Sequence, residues 1–120
     1  MNPINLALRF ALEVTALGVL GWWGWSKGTG IWRALFSAGV VMFAAMVWAG
    51  FAVPGDPSRG GSGWVHVPGI VRLVLELAFF GAAASVLYSA GHRNLAVGFT
   101  AVVVAHYLWS YRRVSWLLQQ

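Results

Sequence analysis

Two matched arginine–glutamate pairs are the residues of this 120-residue chain that are best suited to chemistry. Arg9 and Glu13 are four positions apart, and Arg72 and Glu76 repeat the same R-x-x-L-E pattern later in the chain. Residues four apart share one face of an α-helix and can form an ion pair. Each glutamate lies seven or eight residues inside an apolar segment, which places it about 10–12 Å along a helix that rises 1.5 Å per residue.

Three roles are open for these four residues: a structural role, a functional role, and a combination in which the pairs are closed in one state and released in another. A charge near the middle of a bilayer costs on the order of 3 kcal/mol, so both glutamates must face the interior of a helix bundle. Each arginine would then neutralise a glutamate, either within its own helix or crosswise as Arg9–Glu76 and Arg72–Glu13, and the pairs would hold the bundle together. Alternatively, Glu13 and Glu76 form a polar site that binds a cation or carries protons.

His106 lies at a similar depth and is a third candidate. Helical spacing puts it on the same face as Val103 and Ser110. A single histidine on an apolar helix is more often a hydrogen-bonded packing residue than a ligand. The alternative is a cluster of Glu13, Glu76 and His106 that takes up and releases protons.

The sequence carries no signature of an enzyme, a metal site or a cofactor site. It has no cysteine, no G-x-S-x-G or H-E-x-x-H motif and no phosphate-binding glycine loop. Neither glutamate has the E-x-x-H spacing of carboxylate-rich metal bundles, and the neighbouring arginines oppose cation binding. We therefore expect a non-enzymatic protein without metal or cofactor.

Four apolar segments must position these residues. Charged residues make up 9% of the chain and hydrophobic residues 59%, which leaves too few charges to cover a soluble domain. The segments run over residues 5–25, 31–53, 69–90 and 94–111. Each is close to the roughly 20 residues that cross about 30 Å of hydrocarbon as a helix. The pattern predicts an all-α integral membrane bundle of four transmembrane helices, in a single domain over residues 1–120.

The connections divide the four segments into two hairpins. Short turns at residues 26–30 and 91–93 join them in pairs, and a proline- and glycine-rich stretch predicts a flexible polar linker at residues 54–68. A shift of 63 residues superposes R-x-x-L-E and two glycines of the first hairpin on those of the second. We interpret residues 5–53 and 69–118 as parallel repeats, related by a pseudo-two-fold axis along the membrane normal.

The charge distribution predicts the partners and the orientation. The net charge is +5, but the basic residues flank apolar segments instead of forming one stripe, which favours a lipid bilayer over nucleic acid as the partner. Five of the eight basic residues lie on the side that holds both termini and the linker. By the positive-inside rule, this difference predicts that both termini are cytoplasmic.

Three segments carry a resemblance to a known family. They are N-L-A-L-R-F-A-L-E at residues 5–13, W-A-G-F-A-V-P at residues 48–54 and R-L-V-L-E-L at residues 72–77. On these segments the chain resembles the YrdB-like family of small bacterial membrane proteins, over most of its length. The resemblance implies a four-helix integral protein of the bacterial inner membrane, and it implies no activity.

Two functions from different classes fit these observations. The first is a membrane accessory or scaffold protein, whose ion pairs hold the bundle and whose faces contact lipid and either a second copy or another membrane protein. The second is a miniature oligomeric transporter or channel, with Glu13, Glu76 and His106 as a cation or proton site. We favour the first. A dry core with closed ion pairs would support it, whereas a water-filled cavity that reaches either glutamate would support the second.

Overall fold

The computed structural model describes residues 2–59 and 63–120, and most of these residues are helical. Along the described chain, two helices are followed by two short strands, which pair in parallel, and then by three helices. In chain order the elements are α1 (Pro3–Trp25), α2 (Ile31–Gly50), β1 (Phe51–Ala52), β2 (Val65–His66), α3 (Gly69–Ser89), α4 (Arg93–Trp109) and α5 (Tyr111–Leu118).

Helices α1, α2 and α3 are long and apolar enough to cross a membrane, with 23, 20 and 21 residues. Helix α4 has 17 residues, which as a helix extend over about 25 Å. The mostly helical architecture with three membrane-length helices agrees with the predicted all-α membrane protein.

Glycines allow close helix packing in the first hairpin and tight turns in both hairpins. A Cβ at Gly24 of α1 would come within 2.9 Å of the backbone of Phe36 and Ser37 in α2, so the two helices approach closely there. Gly30 precedes α2 with φ 58°, and Gly91 ends the α3–α4 turn with φ 88°. Such positive φ values are costly for residues with a Cβ, which explains glycine at both turns.

The apolar core lies between α1, α3 and α4. Its buried residues are Leu12, Ala16, Phe80, Ala83, Leu87, Ala96, Phe99 and Val103. Helix α2 packs on the outside of α1 and buries only Gly50, while side chains such as Met42 and Phe43 are exposed. The second and fourth helices therefore differ in their packing: α4 contributes buried side chains to the core, and α2 packs outside it.

The structure differs from the prediction at the end of the second apolar segment and in part of the predicted flexible linker. Helix α2 ends at Gly50 instead of residue 53, and β1 pairs in parallel with β2. Ala52 and Val53 are buried, at 1% and 3% exposure. Burying these side chains holds the linker segment against the bundle end. Residues 60–62, in the middle of the predicted linker, lie outside the described residues.

The fourth apolar segment is also divided differently from the prediction. It breaks at Ser110 (φ −94°, ψ 26°), and α5 follows as a separate helix. The Asn5 side chain of α1 donates a hydrogen bond to Ser110 Oγ over 2.7 Å. Helix α5 buries Arg113 and Leu117, four residues apart, and exposes Arg112. The buried side of α5 therefore packs against α3 and α4 at the end of the bundle.

Candidate functional site

Glu76 is the centre of a buried polar cluster at the end of the bundle that holds both termini. Its side chain is 0% exposed. Its Oε2 accepts hydrogen bonds from Arg72 Nε at 2.8 Å and from Arg113 Nη2 at 2.7 Å. Its Oε1 accepts from Arg113 Nη1 at 2.9 Å and from the Tyr107 hydroxyl at 2.7 Å. Arg9 Nη2 lies 2.9 Å from Oε2. One carboxylate therefore connects α1, α3, α4 and α5.

Arg113 connects Glu76 to a second carboxylate, Asp56. Its Nε and Nη2 donate to the two Asp56 oxygens at 2.8 and 2.7 Å, which is a bidentate pair. The backbone N–H and hydroxyl of Ser58 also donate to Asp56 Oδ1. Burial alone would raise the pKa of Asp56, but the hydrogen bonds and positive charge of Arg113 hold this pKa below its ordinary value. The loop after β1 is thereby fixed to α5.

Arg72 binds the carboxyl end of α2. Its Nη1 donates to the backbone carbonyl of Trp48 and, over 2.8 Å, to that of Phe51. The last carbonyls of a helix lack partners within it, and this end of the helix dipole attracts positive charge. The Trp48 ring also lies 4.4 Å from the Arg72 guanidinium. One side chain of α3 thus holds the outer helix α2 against the bundle.

Glu13 has a more open environment, although it belongs to the same R-x-x-L-E pattern. Arg9 Nε lies 3.2 Å from Glu13 Oε1, and the Glu13 side chain is 23% exposed. Arg9 therefore serves both glutamates. Both pairs within a helix form, and so does the crosswise pair Arg9–Glu76. Among the described residues, the other crosswise pair, Arg72–Glu13, does not form.

His106 is completely buried in the same region and faces α1. Its Nδ1 lies 2.8 Å from Asn5 Oδ1, and the Asn5 amide nitrogen donates onward to Ser110. Its Nε2 lies 3.5 Å from Arg9 Nη1, which can only donate. A neutral imidazole with its proton on Nδ1 satisfies both contacts. Within the described chain, no hydrogen bond or ion pair joins His106 to either glutamate, so the geometry fits the packing role.

Four members of the cluster escaped the sequence analysis, namely Asn5, Asp56, Tyr107 and Arg113. Asp56 offered a signal, because the chain has only three acidic residues and each is informative in so apolar a protein. Arg113 offered a weaker signal, since it lies four residues before Leu117 and so shares a helix face with an apolar residue. Asn5 and Tyr107 offered none, because polar groups are common near helix ends.

The charges of the cluster cancel, and a cavity borders the side of the cluster that holds Arg9 and Glu13. Three arginines face three carboxylates in this cluster: Arg9, Arg72 and Arg113 against Glu13, Asp56 and Glu76. A cavity of about 210 Å³ beside the cluster is lined by Arg9, Glu13, Trp48, Ala49, Ser58, Arg59 and Arg72. The described residues contain no group of three or more His, Asp or Glu side chains that could hold a metal ion.

Comparison with known proteins identifies relatives of the whole chain. A family model described as "Protein of unknown function (DUF2568)" matches residues 7–104. The chain is 38% identical to the uncharacterized protein YrdB of Bacillus subtilis (strain 168) over 120 residues, which are 100% of this chain and 98% of that protein. No solved structure matches. These matches confirm the resemblance to a YrdB-like family.

Proposed function

This chain belongs to the DUF2568 family, and on that premise we propose that it is a non-enzymatic, multi-pass accessory or scaffold protein of the bacterial inner membrane. Its buried arginine–carboxylate cluster holds the helices in one arrangement. Its outer faces contact lipid and a second copy or another membrane protein. The three membrane-length helices support the membrane assignment.

The proposed topology has four crossings, with α4 as the fourth and α5 along the membrane surface. The two hairpins are related by a pseudo-two-fold axis along the membrane normal. Contact between α1 and α3, with α2 against α1 and α4 against α3, supports this arrangement. The basic residues Arg59, Arg112 and Arg113 near the end with the termini favour a cytoplasmic location for that end.

The full enclosure of Glu76 is the observation that carries the accessory role. Its two oxygens accept hydrogen bonds from Arg72, Arg113 and Tyr107, and its side chain is 0% exposed. A carboxylate that binds a transported cation or proton must release its partners during the cycle. Removing one partner of a buried pair costs about 3–5 kcal/mol. Such a cluster is better suited to holding the helices together than to binding and releasing a transported ion.

One observation favours the alternative of a miniature oligomeric transporter or channel. The cavity of about 210 Å³ reaches Glu13, whose side chain is 23% exposed. Farther along the bundle, however, the buried apolar residues Ala16, Phe80 and Ala83 separate this region from the opposite end. Glu13 is therefore open to one side of the proposed membrane, and His106 contacts Asn5 and Arg9 instead of extending a path.

Proton or cation flux in liposomes separates the two functions. Wild-type protein and the Glu13→Gln and Glu76→Gln variants are reconstituted with a pH-sensitive dye inside, and Arg33→Gln, at the other end of the bundle, is the control. The accessory role predicts no flux above that of protein-free liposomes for any of the four proteins. Flux by the wild type that disappears in Glu13→Gln and persists in Arg33→Gln would overturn it.

A photocrosslinking residue at Phe43 tests the scaffold role directly. Phe43 lies on α2 and is 72% exposed. In native membranes, we expect a discrete protein–protein product from this position and none from the same residue placed at buried Phe99. Crosslinking to lipid alone at Phe43 and at the other exposed α2 positions would contradict a scaffold role.

A further inference from the structure

The cavity beside the ion cluster has the donors of an oxyanion site. Arg9, Arg59 and Arg72 line it together with Ser58 and Trp48. Arg59 Nη2 donates to the Ala49 carbonyl over 3.0 Å, but within the described chain its buried Nε has no hydrogen-bond partner. Guanidinium groups are the preferred partners of phosphate, because they offer several N–H donors in a fixed plane.

Arg9 contributes a second incompletely used donor. Its Nη2 is buried and lies 2.9 Å from Glu76 Oε2, yet outside hydrogen-bond geometry, so this contact is an ion pair without an aligned N–H. The Arg9 side chain is 3% exposed. Arg9 lines the cavity, and a buried N–H without an aligned acceptor costs free energy, so this side chain still has hydrogen-bonding capacity.

An apolar groove of about 270 Å³ shares Trp48 with this cavity. It is lined by Leu20, Val40, Phe43, Ala44, Val47, Trp48, Leu75, Ala78, Phe79 and Ala82, and its lining is almost entirely apolar. The groove exists because α2 packs on α1 and contacts α3 only slightly. From Trp48 to Val40, α2 rises about 12 Å, so the groove extends inward from the oxyanion cavity along the helices.

We propose that the cavity and groove together bind one phospholipid, with its phosphate on Arg9, Arg59 and Arg72 and an acyl chain along the groove between α2 and α3. Trp48 lines both the polar cavity and the apolar groove, so the two sites are neighbours, as the phosphate and the acyl chains are in a phospholipid. A free phosphate would fill the cavity and leave the groove unused. This inference is independent of the accessory role, because either could hold without the other.

Glu13 lowers the positive charge of the proposed phosphate site. Its carboxylate lies against Arg9 Nε at 3.2 Å and lines the same cavity, so it competes with a phosphate for Arg9. The three arginines of the cavity outnumber it, and Glu76 lies behind them in the buried cluster. Replacing Glu13 by glutamine should therefore strengthen phospholipid binding.

The test uses the full chain in a detergent that carries no phosphate. Binding is measured by native mass spectrometry and by the thermal shift, with three probes: dioleoylphosphatidylglycerol, dioleoylglycerol and inorganic phosphate. The first two share their acyl chains and differ in the phosphate headgroup. We expect saturable binding of the phosphatidylglycerol alone. Equal binding of dioleoylglycerol would overturn the phosphate contact, and stabilisation by inorganic phosphate without lipid binding would overturn the phospholipid assignment.

Charge variants locate the site. Arg59→Gln should weaken phosphatidylglycerol binding about ten-fold or more, because a hydrogen bond to a charged group is lost. Arg33→Gln removes the same charge from the opposite end and should bind as the wild type does. If both variants lost the same binding affinity for phosphatidylglycerol, the effect would come from overall charge, and the proposed site would be wrong. Glu13→Gln should bind more tightly than the wild type, and weaker binding would contradict the proposed competition.

A groove variant tests the acyl chain. Ala82 lines the groove and is exposed, so Ala82→Phe fills the groove without displacing a core residue. It should reduce phosphatidylglycerol binding, whereas Ala38→Phe, at an exposed α2 position outside the groove lining, should leave it unchanged. Unchanged binding in Ala82→Phe would overturn the groove as the acyl site.

Discussion

Glu13 and Glu76 each follow an arginine by four residues, and each ends an R-x-x-L-E pattern, but their surroundings differ. Glu13 pairs with Arg9 at 3.2 Å and keeps 23% of its side chain exposed. Glu76 is 0% exposed and meets three arginines and a tyrosine. The same local pattern thus forms a peripheral pair in one hairpin and the centre of a buried cluster in the other.

The difference arises from the segments that the chain adds after each hairpin. After α4, the chain turns at Ser110 into α5, which brings Arg113 over Glu76. After α2, the chain enters β1 and then the loop whose Asp56 also binds Arg113, while Glu13 is left beside a cavity. Elements that follow the helix pair of each hairpin therefore make the surroundings of the two glutamates unequal. The pattern sets the pair within each helix, and the rest of the chain sets its burial.

Removal of Arg113 should have the largest effect on this comparison. Arg113→Leu strands Glu76 and Asp56 as buried carboxylates with fewer partners, and we expect the free energy of unfolding to fall by about 3–5 kcal/mol. Unfolding in detergent, followed by size-exclusion chromatography after heating, measures the loss. Arg112→Leu, the exposed neighbour on α5, is the matched control and should behave as the wild type does. Equal stability of the two variants would contradict the central role of the contact between Arg113 and Glu76.

Replacement of His106 should have an intermediate effect. Position 106 aligns with Phe43 in the proposed repeat, and His106→Phe leaves the Asn5 carbonyl oxygen without its donor. A buried polar group that loses its partner costs about 1–3 kcal/mol. A double-mutant cycle with Asn5→Ala tests whether this hydrogen bond causes the loss of stability. If it does, Asn5→Ala should lower the free energy of unfolding less in the His106→Phe variant than in the wild type. Strictly additive losses would contradict the coupling.

Acid should weaken the Asp56–Arg113 contact. The pKa of Asp56 is held below its ordinary value of 3.8 by Arg113, so its contribution to stability is fully present above pH 3.8 and is lost as the pH falls through the lowered pKa. We expect thermal stability to fall below about pH 4 in the wild type. Asp56→Asn should be less stable at neutral pH and should show a smaller further loss in acid. If thermal stability fell equally with pH in the wild type and in Asp56→Asn, the result would argue against this contact.

Neutralisation of Glu13 should have the smallest effect. Glu13→Gln removes one partly exposed ion pair while Arg9 keeps Glu76, so we expect a change of about 1 kcal/mol or less in the free energy of unfolding. The same detergent unfolding assay measures it, beside Glu76→Gln. A loss in Glu13→Gln as large as that in Glu76→Gln would show that the two hairpins are equivalent after all.

The general class of the fold and part of the cluster could be predicted from particular residues. The apolar runs around Arg9 and Arg72 predicted membrane-length helices, and i, i+4 spacing predicted both pairs within a helix. Asp56 and Arg113 were missed as cluster members because they lie far apart in the chain, in a loop and after a helix break. The break at Ser110 was missed because Ser110 contacts Asn5, 105 residues earlier, and local spacing does not reveal such a contact.

The sequence by itself determined that this chain is apolar, helical and supplied with two arginine–glutamate pairs, since hydropathy and helical periodicity are local properties. Tertiary structure alone decided which glutamate is enclosed, which end of α2 Arg72 binds and where the groove between α2 and α3 lies. The physical reason is that burial and ion-pair partners depend on contacts between residues distant in the chain. Local spacing cannot encode those distances.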